Sequence, residues 1–516
     1  MNGVHSIGNW LPQRASLTPT RVALEFEGDQ VTYEELLVRS RWRAAAFAAA
    51  RLQRGDRVAV LAQNCPEQVE VFFACAMSGL VFVPLNWRLR ASELAYQLLD
   101  SGSTLLLYGK SYVELAQSAA AESGCELRAM PLLPAPAPVP ATDWVAPWVK
   151  DEDPLFIIYT SGTTGRPKGA VLSHANTFWT NLSLDLTANV DSSDIVLQIL
   201  PQSHVGGWNV QPLLAWWKGA KVVLEPGFDA GRVLRLVEEK RITTMMGVPT
   251  NYLLMAAHGN FGTTDLSSLR QLVVGGAPMP VALLDQWMAR GVTVLQGYGL
   301  SEAAPNVLCV PSEYAKAKLG SAGRPYMHVE VALQTLGGEE ADSGAGALDL
   351  VSGAGSGELL VRGPNVFARY WGNQEATAHA LRDGWLLTGD VAERDEDGFY
   401  WIRGRIKEMY ISGGENVYPA EVAEVISGHP SVLQAAVVGV PHPRWGETGY
   451  AFVVVKDRSP LTAEDLDAYC RSRLATFKVP GHYSFVSELP YLSSGKLDMR
   501  GLGEMAQDEV RRHGTP

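Results

Sequence analysis

Hydroxyl-bearing residues, glycines and one lysine are concentrated in the stretch from Tyr159 to Ala170. This stretch follows the apolar run Leu155 to Ile158, which is typical of a buried strand. A glycine-rich loop that leaves a strand directs backbone N–H groups at a phosphate, and hydroxyls and Lys168 add donors and charge. The spacing differs from the G-x-x-x-x-G-K-[ST] loop, because Pro167 stands five residues after Gly162, where that motif needs glycine. We predict a phosphate-binding loop of another kind and reject a solvated turn, which needs no such cluster of donors.

A second stretch suited to chemistry is Gln296-Gly297-Tyr298-Gly299-Leu300-Ser301-Glu302. Its glycines let the backbone approach a ligand closely, and Tyr298 offers an aromatic face on which a base can stack. Glu302 offers a hard oxygen ligand for Mg²⁺. The alternative is a tight strand-to-helix turn with Glu302 in the first helical turn. The residues by themselves leave both interpretations open.

Further along the chain, one acidic and one basic residue are suited to binding a ribose. Asp390 ends the run Leu387-Thr388-Gly389-Asp390, and Arg405 lies within Trp401 to Lys407. A carboxylate accepts hydrogen bonds from ribose hydroxyls, as an acidic residue does in dinucleotide-binding folds. Arg405 can donate to the same sugar. A surface hairpin with an ion pair is the alternative, and these residues alone favour it.

Two further turns lie nearer to the C-terminus. The run from Ser412 to Pro419 is a glycine-containing turn that leads into a helix, and the run from Leu489 to Lys496 places one lysine on a Gly/Ser loop. A lysine on such a loop is usually a solvated side chain. Neither turn by itself identifies a function.

The composition is that of an acidic globular chain. It has 516 residues, of which 47% are hydrophobic, and 43 Lys and Arg against 55 Asp and Glu give a net charge of −12. This charge argues against general nucleic-acid binding. The five scattered cysteines have no metal-ligand spacing and predict reduced thiols in a cytoplasmic protein. No signal peptide is apparent in Met1 to Trp10, and the apolar segment Val69 to Pro84 is too interrupted for a membrane span, which leaves peripheral membrane contact open.

Alternating strand and helix patterns must position these stretches. Val58 to Ala62 and Val81 to Val83 are typical of strands, and Pro66 to Met77 is typical of a helix that ends before Gly79. Strand, helix and strand at this spacing form a βαβ unit and hence part of a parallel sheet. Strands that run into glycine turns, as Leu272 to Val274 does, place ligand sites at their carboxyl ends.

The composition and the hydrophobic pattern of the sequence change twice in its second half. Gly337 to Gly357 is rich in Gly, Ser and Ala and predicts a loop, and the short alternating strands that follow indicate a small β-rich part. A unit of roughly 110 residues begins near Arg405, which is a normal domain size. We therefore predict an α/β fold. A large N-terminal domain (1–404) combines α/β layers with the β-rich part, and a small mobile α+β C-terminal domain (405–516) follows.

Together and in this order, the motifs resemble those of the adenylate-forming superfamily of acyl-CoA synthetases, peptide-synthetase adenylation domains and luciferases. The resemblance extends from about Ile7 to Leu502. It is strongest to fatty-acyl-CoA and 4-coumarate-CoA ligase-like enzymes, through Gly413 to Glu421 and Gly439 to Pro443.

The resemblance implies an acyl-CoA synthetase that works in two steps. ATP and a fatty or aryl acid form an acyl-adenylate and pyrophosphate with Mg²⁺, and CoA then displaces AMP. The implied partners are the carboxylate, ATP and CoA, without nucleic acid or integral membrane contact, and a homodimer is left open. Delivery of the acyl group to a carrier protein is the alternative. A luciferase-like oxygenase is less favoured, because nothing in the sequence is specific for oxygenation.

The resemblance also implies roles for individual residues. Lys496 is expected to bridge the carboxylate and the α-phosphate, Ser301 to contact that phosphate, and Glu302 to hold Mg²⁺. His204 is expected to gate the thiol tunnel, and Lys407 to be the hinge. The implied nucleotide-binding residues are Thr160, Ser161, Gly162, Thr163, Thr164, Lys168, Gly276, Ala277, Pro278, Gly297, Tyr298, Gly299, Asp390 and Arg405; Thr164 joins Glu302 at the metal; the acyl site is His204, Val205, Trp208, Gly275 and Gly297; and the CoA site is Gly413, Gly414, Glu415 and Trp445.

The sequence defines the acid less closely. In the family, the stretch from His204 to Asn209 lines the acyl site, whereas a buried, hydrogen-bonded core histidine is the alternative for His204. No Lys or Arg lies between Ile199 and Trp217, which argues against a dicarboxylate. Two glycines leave room there, and Trp208 predicts an apolar, shortened pocket.

Overall fold

The computed structural model describes residues 3–139, 142, 144–160, 166–336, 348–456, 460–492 and 496–513. The first third of the chain alternates strands with helices. Its elements are α1 (Trp10–Leu17), β1 (Val22–Phe26), β2 (Asp29–Thr32), α2 (Tyr33–Ala49), β3 (Arg57–Leu61), α3 (Pro66–Ser78), β4 (Val81–Leu85), α4 (Ala91–Ser101), β5 (Leu105–Tyr108), α5 (Val113–Ser123) and β6 (Arg128–Pro131).

The middle of the chain continues the alternation. Its elements are β7 (Pro154–Thr160), β8 (Lys168–Ser173), α6 (His174–Ala188), β9 (Ile195–Gln198), α7 (Gly206–Asn209), α8 (Pro212–Lys218), β10 (Lys221–Leu224), α9 (Ala230–Glu239), β11 (Thr244–Gly247), α10 (Pro249–Ala257), β12 (Gln271–Val274), α11 (Val281–Ala289), β13 (Val294–Gly299), β14 (Asn306–Cys309) and β15 (Arg324–Pro325).

Short strands dominate the region that follows. Its elements are β16 (Glu330–Gln334), β17 (Gly355–Arg362), β18 (Arg369–Tyr370), α12 (Gln374–Ala380), β19 (Leu381–Arg382), β20 (Trp385–Arg394) and β21 (Tyr400–Arg405). The C-terminal part contains β22 (Tyr410–Ser412), β23 (Glu415–Val417), α13 (Pro419–Ser427), β24 (Val432–His442), β25 (Gly446–Val455), α14 (Ala463–Arg471), β26 (His482–Phe485) and α15 (Met499–His513).

Two large sheets form the layers of the N-terminal domain. In the described chain, one sheet has the strand order β18-β8-β7-β4-β3-β5-β6, and the other has the order β15-β14-β13-β12-β11-β9-β10-β1-β2. The predicted βαβ unit is confirmed, because β3 and β4 pair in parallel and α3 connects them. Most of α3 is buried, from Gln68 to Met77, so an apolar sequence on all sides suits its place between layers.

The β-rich part is a separate five-stranded sheet in which β16, β17, β20 and β19 lie side by side and β21 pairs with β20. The sequence predicted a loop from Gly337 to Gly357. This prediction is wrong at its C-terminal end, because residues 355–357 begin β17 and pair with β20. Ladder hydrogen bonds to a neighbouring strand override the weak local strand propensity of a Gly/Ser sequence. Residues 337–347 of the predicted loop lie outside the described residues.

The C-terminal domain is an α+β unit. The long antiparallel pair β24 and β25 has α13 and α14 packed on one apolar cluster and α15 on another. The predicted fold, with a large N-terminal α/β domain and a small C-terminal domain, is confirmed. The mobility of the C-terminal domain stays a prediction. No helix in the described part of the chain is long and apolar enough to span a membrane.

Candidate active site

The two ends of the predicted phosphate loop lie opposite each other at one end of a β-hairpin. Strands β7 and β8 pair antiparallel, and Thr160 lies directly across from Lys168. The side chain of Lys168 extends over the ring of Tyr370, with Nζ 5.3 Å from the ring centroid. The remaining predicted residues of this loop lie outside the described residues; they are Ser161, Gly162, Thr163 and Thr164.

The carboxylate of Glu302 faces this hairpin. Glu302 lies in a short 3₁₀ turn, Ser301–Ala303, directly after β13. Its Oε1 accepts hydrogen bonds from the hydroxyl of Tyr370 at 2.7 Å and from that of Thr160 at 3.4 Å. The predicted turn with Glu302 in its first helical turn is confirmed, and the role of Glu302 as a Mg²⁺ ligand stays a prediction.

Sequence reasoning did not identify Tyr370. This residue is in the two-residue strand β18, which joins the edge of the sheet by pairing with β8. No local pattern of glycines or charges marks it. The contact with Glu302 spans 68 residues, so only the tertiary fold brings the two side chains together.

The donor set around Glu302 fits a magnesium ion that arrives with a nucleotide. Among the residues that the structure describes, no group of three or more His, Cys, Asp or Glu side chains is placed to hold a metal. Mg²⁺ is commonly bound by one or two carboxylates together with substrate phosphates. Glu302, beside the predicted phosphate loop, fits this requirement.

A second carboxylate belongs to the same group of residues. We call the space around Glu302, Asp390 and Lys496, whose charges act on one another, the cleft. Asp390 and Arg405 are directly opposite each other in strands β20 and β21, and Arg405 Nε lies 3.0 Å from Asp390 Oδ1. The hydroxyl of Tyr298 donates to Asp390 Oδ2 at 2.5 Å. Burial, reinforced by the charge of Asp390, raises the pKa of Tyr298 far above its usual value, so this hydroxyl stays a donor. The two predicted ribose residues and the predicted adenine-stacking residue are therefore in contact.

The glycine turn after β12 borders the same cleft. Gly276 has a φ of 82°, a conformation that favours glycine, and Ala277 and Pro278 are exposed beside it. A methyl group on Gly276 would lie 3.5 Å from Val248 Cγ1 and 3.8 Å from Lys496 Cε. The backbone of Gly276 is thus accessible, because this residue carries no side chain.

Lys496 extends from the C-terminal domain towards this turn. Its side chain stays accessible to solvent within the cleft, although protein surrounds it. Partial burial and the nearby charge of Arg405 lower the pKa of Lys496, whereas the carboxylates of Asp390, Glu302 and Glu408 oppose that shift. The structure therefore brings Lys496 close to Asp390, the predicted ribose ligand, and to Glu302, the predicted Mg²⁺ ligand.

His204 lies just before α7, close enough to Lys496 for the charge of the lysine to act on the imidazole. Its Nε2 is enclosed and has no hydrogen-bond partner among the described residues. Burial first, and then the positive charges of Lys496 and Arg88, lower the pKa of His204 to about 4. The imidazole is therefore neutral near pH 7. Among the described residues, Nε2 thus lacks the partner that a hydrogen-bonded core histidine would have, and the gating role of His204 stays a prediction.

Two residues predicted at the acyl site are buried. Val205 is 5% exposed and Trp208 is fully buried. Trp208 packs against Phe72, Phe82 and Phe156, and its indole N–H donates to the carbonyl of Gln202 at 2.6 Å. Trp208 therefore belongs to the core behind α7 and does not itself line an open pocket, because an aromatic cluster encloses it.

The predicted CoA residues lie on an exposed hairpin of the C-terminal domain. Gly413 and Gly414, with φ of 63° and 88°, connect β22 to β23, which pair in register at Ser412 and Glu415. The Gly413 N–H donates to the carbonyl of Trp445 at 2.8 Å, and a methyl group on Gly413 would overlap the indole ring at 2.7 Å. Lys407, the predicted hinge, is exposed in the 3₁₀ turn between β21 and β22.

The chain matches the AMP-binding enzyme family over residues 11–371 and the AMP-binding enzyme C-terminal domain over residues 421–496. It is 42% identical over 494 residues to a feruloyl-CoA synthase of Amycolatopsis sp (95% of this chain, 97% of that protein) and 35% identical over 504 residues to the long-chain-fatty-acid–CoA ligase FadD13 of Mycobacterium tuberculosis (95% and 97%). Its structure is similar to that of the o-succinylbenzoate CoA synthetase of Bacillus subtilis in complex with its acyl-adenylate intermediate, with a TM-score of 0.84, 32% identity and coverage of 96% of this chain and 97% of that one. These comparisons confirm the resemblance to adenylate-forming enzymes. The chain belongs to the family of AMP-binding enzymes.

Proposed function

We propose that this chain is an acyl-CoA synthetase for an aryl acid, a compact carboxylic acid that carries an aromatic ring. The activity itself is that of an AMP-forming acid–thiol ligase. ATP and the carboxylate give an acyl-adenylate and pyrophosphate, and CoA then displaces AMP; the reaction uses ATP, Mg²⁺ and CoA. The observation that carries the choice of acid is the close approach of two neighbouring strands and Met246 at Gly275.

Two glycines allow this close approach. Gly275 follows β12, and Gly297 lies in the neighbouring strand β13. A methyl group on Gly275 would lie 3.0 Å from Met246 Cε and 3.4 Å from the carbonyl oxygen of Gly297. Even a methyl side chain at Gly275 would therefore crowd Met246 and the neighbouring strand. A planar ring is the acyl group that suits such close packing, and the thioether of Met246 is a favourable neighbour for an aromatic ring.

The aromatic cluster behind α7 supports a compact acid. The ring of Trp208 lies 4.7 Å from that of Phe72 and 5.3 Å from that of Phe82. Protein interiors are close-packed, so a long alkyl chain could extend in this direction only by displacing buried rings. A shortened acyl site favours an aryl acid over a long-chain fatty acid.

The comparisons support the same choice. The relative with 42% identity is named for a feruloyl group, and the similar solved structure holds an o-succinylbenzoyl adenylate; both acyl groups are aromatic. The long-chain ligase is 35% identical. These differences in sequence identity are supporting evidence, whereas the geometry around Gly275 is the physical argument.

The proposal assigns the chemistry to the cleft residues. Both reactants are anions, so their approach needs positive charge where charge develops in the transition state, and Lys496 and Lys168 would supply it. Glu302 would hold Mg²⁺, which supplies charge neutralisation to the phosphates when bound. Asp390 and Arg405 would take the ribose. The adenine would lie between the turn Gly276 to Pro278 and Tyr298, Ser301 would contact the α-phosphate, and the Gly413 hairpin with Trp445 would serve the thiol step.

Three further features belong to the proposal. The domain boundary lies between residues 404 and 405, with rotation about Lys407 between the two steps. The protein works in the cytoplasm, and it forms a homodimer. Sedimentation velocity over a range of protein concentrations tests the dimer, and a single monomeric species at all concentrations would refute it.

The experiment that tests the acid is a substrate panel. Hydroxycinnamic, benzoic and indole-acetic acids are compared with fatty acids of increasing chain length, and AMP release and CoA thioester formation are both measured. We expect at least one aryl acid to exceed every fatty acid about tenfold or more in kcat/KM, the discrimination typical of a pocket that fits one substrate and not another. A kcat/KM for a fatty acid that exceeds that of every aryl acid about tenfold would refute the aryl assignment. Thioester formation on a carrier protein without reaction of free CoA would favour the alternative acceptor.

A glycine variant tests the geometric argument directly. Gly275→Ala places a methyl group against Met246 at the proposed acyl site and should lower kcat/KM for the aryl acid about tenfold or more, with the KM for ATP unchanged. Gly259→Ala is the matched control, because a methyl group there meets no atom within 4 Å. Equal activity of both variants would show that the acid does not bind beside Gly275.

A further inference from the structure

The hydroxyl of Tyr370 is directed at one oxygen of Glu302. In the described residues, both hydrogen bonds to this carboxylate end on Oε1, one from Tyr370 at 2.7 Å and one from Thr160 at 3.4 Å. A carboxylate held through one oxygen has a defined orientation and presents its other oxygen, here Oε2, in a defined direction. The residues that support a metal ligand tune metal affinity in this way.

The position of the Tyr370 ring is itself fixed by its surroundings. Its backbone N–H donates to Thr377 Oγ1 at 3.0 Å, and its backbone pairs with Ala170 of β8. The ring packs edge-to-face on Phe367 with 4.8 Å between centroids, and Lys168 Nζ lies over its face. A ring constrained on this many sides holds its hydroxyl in one place, between the lysine of the phosphate loop and the carboxylate.

We propose that Tyr370 is a positioning residue for magnesium: its hydroxyl orients Glu302 so that Oε2 is presented to the Mg²⁺ of bound ATP. The hydroxyl of Tyr370 lies 2.7 Å from Glu302 Oε1, and a tyrosine hydroxyl near pH 7 is a donor to a carboxylate. The inference rests on the adenylation activity of the proposed function but not on the identity of the acid.

The test measures binding in the absence of the acid, so that no reaction occurs. Calorimetric titration gives the dissociation constant of ATP with excess EDTA and with Mg²⁺, and the ratio of the two constants reports the contribution of the metal. Tyr370→Phe removes the hydroxyl and keeps the ring beneath Lys168. We expect this ratio to fall about tenfold, at the lower end of the effects known for residues that support metal ligands.

Tyr450→Phe is the matched control, because it removes a hydroxyl that makes a 2.7 Å hydrogen bond to Ser484 in the C-terminal domain. This variant should keep the wild-type ratio. Thr160→Val removes the other donor on Oε1 and should lower the ratio in the same direction, which keeps the proposal testable if Tyr370→Phe does not fold. An unchanged ratio in the variants at positions 370 and 160 would overturn the proposal.

A double-mutant cycle shows whether Tyr370 acts through Glu302. In a Glu302→Gln background, Tyr370→Phe should cause no further fall in the ratio. An equal fall in both backgrounds would mean that the tyrosine acts on ATP by another route and would overturn the proposal. If the wild-type protein bound no ATP, either with or without Mg²⁺, the result would instead contradict the proposed function.

Discussion

The hydroxyl of Tyr298 lies 2.5 Å from Oδ2 of Asp390, while Arg405 Nε lies 3.0 Å from the other oxygen. Each oxygen of the predicted ribose-binding carboxylate thus has a protein donor. A carboxylate oxygen accepts more than one hydrogen bond, so both keep capacity for a sugar hydroxyl. The structure therefore orients Asp390 before the nucleotide binds, and it couples that orientation to the ring on which the base is predicted to stack.

Tyr298→Phe tests this coupling. The ring face remains, but Asp390 loses one of its two donors. We expect the KM for ATP to rise about tenfold, because hydrogen bonds to charged groups contribute about 1.5–3 kcal/mol. The rate of thioester formation from a supplied acyl-adenylate should change little. Tyr400→Phe is the control, since its hydroxyl makes a 3.4 Å contact with Arg394. Equal KM values for ATP in both variants would show that the hydroxyl of Tyr298 has no role.

Lys496→Ala should separate the two half-reactions. We expect pyrophosphate-forming adenylation to fall about 10²-fold or more, because one charge-stabilising donor is lost at the site of reaction. Thioester formation from supplied acyl-adenylate and CoA should largely survive. Lys456→Ala is the control, because Lys456 lies in the same domain and donates to the carbonyl of Pro430. Equal losses in both half-reactions would contradict the assigned role.

Lys407→Pro should have the opposite effect. The exposed hairpin at Gly413 and the cleft residue Lys496 belong to one domain, and each is predicted to act at the same α-phosphate in a different step. A domain rotation requires backbone dihedrals to change at the hinge, and proline restricts φ. We expect adenylation to be retained and acyl-CoA formation to fall at least tenfold, whereas Lys407→Ala should keep both. Wild-type acyl-CoA formation by the proline variant would show that the hinge lies elsewhere.

Stability should decrease in mild acid because of His174. This residue is fully buried, and its Nδ1 accepts the Ile7 N–H at 3.1 Å. Burial, with a contribution from the charge of Arg54, lowers the pKa of His174 to about 4. An exposed histidine titrates near pH 6.5, so between about pH 6.5 and 4 the unfolded chain binds a proton that the folded protein does not. Stability is therefore complete above about pH 6.5 and falls as the pH decreases towards 4.

Urea denaturation at pH 7 and pH 4.5 measures this effect. The free energy of unfolding should fall with pH in the wild-type protein, and one such histidine contributes up to about 3 kcal/mol over the full window. His174→Gln should reduce that fall. His379→Gln, at an exposed position, should leave it unchanged. The same pH dependence in all three proteins would contradict the argument.

Local patterns in the sequence marked several residues of the candidate site, and the family resemblance supplied their predicted roles. Gly276, Tyr298, Asp390 and Lys496 were each marked by a glycine turn or by an isolated charge, and the structure places them around one cleft. Such features are readable because a glycine turn at a strand end is a local requirement of the backbone. The βαβ unit was likewise predictable, since hydrophobic periodicity and the helix-ending Gly79 depend on neighbouring residues alone.

The sequence by itself thus determined the order of the elements, the fold class and the motifs that are predicted to bind phosphate and ribose. Only the tertiary structure decided which groups meet: Tyr370 with Glu302, Tyr298 with Asp390, and Trp208 with the aromatic core instead of the acyl pocket. The physical reason is that these contacts join residues from 68 to 136 positions apart in the chain. For Trp208, the outcome also depends on which face of the short helix α7 packs against the aromatic cluster. Sheet pairing and core packing set such contacts, and no local pattern encodes them.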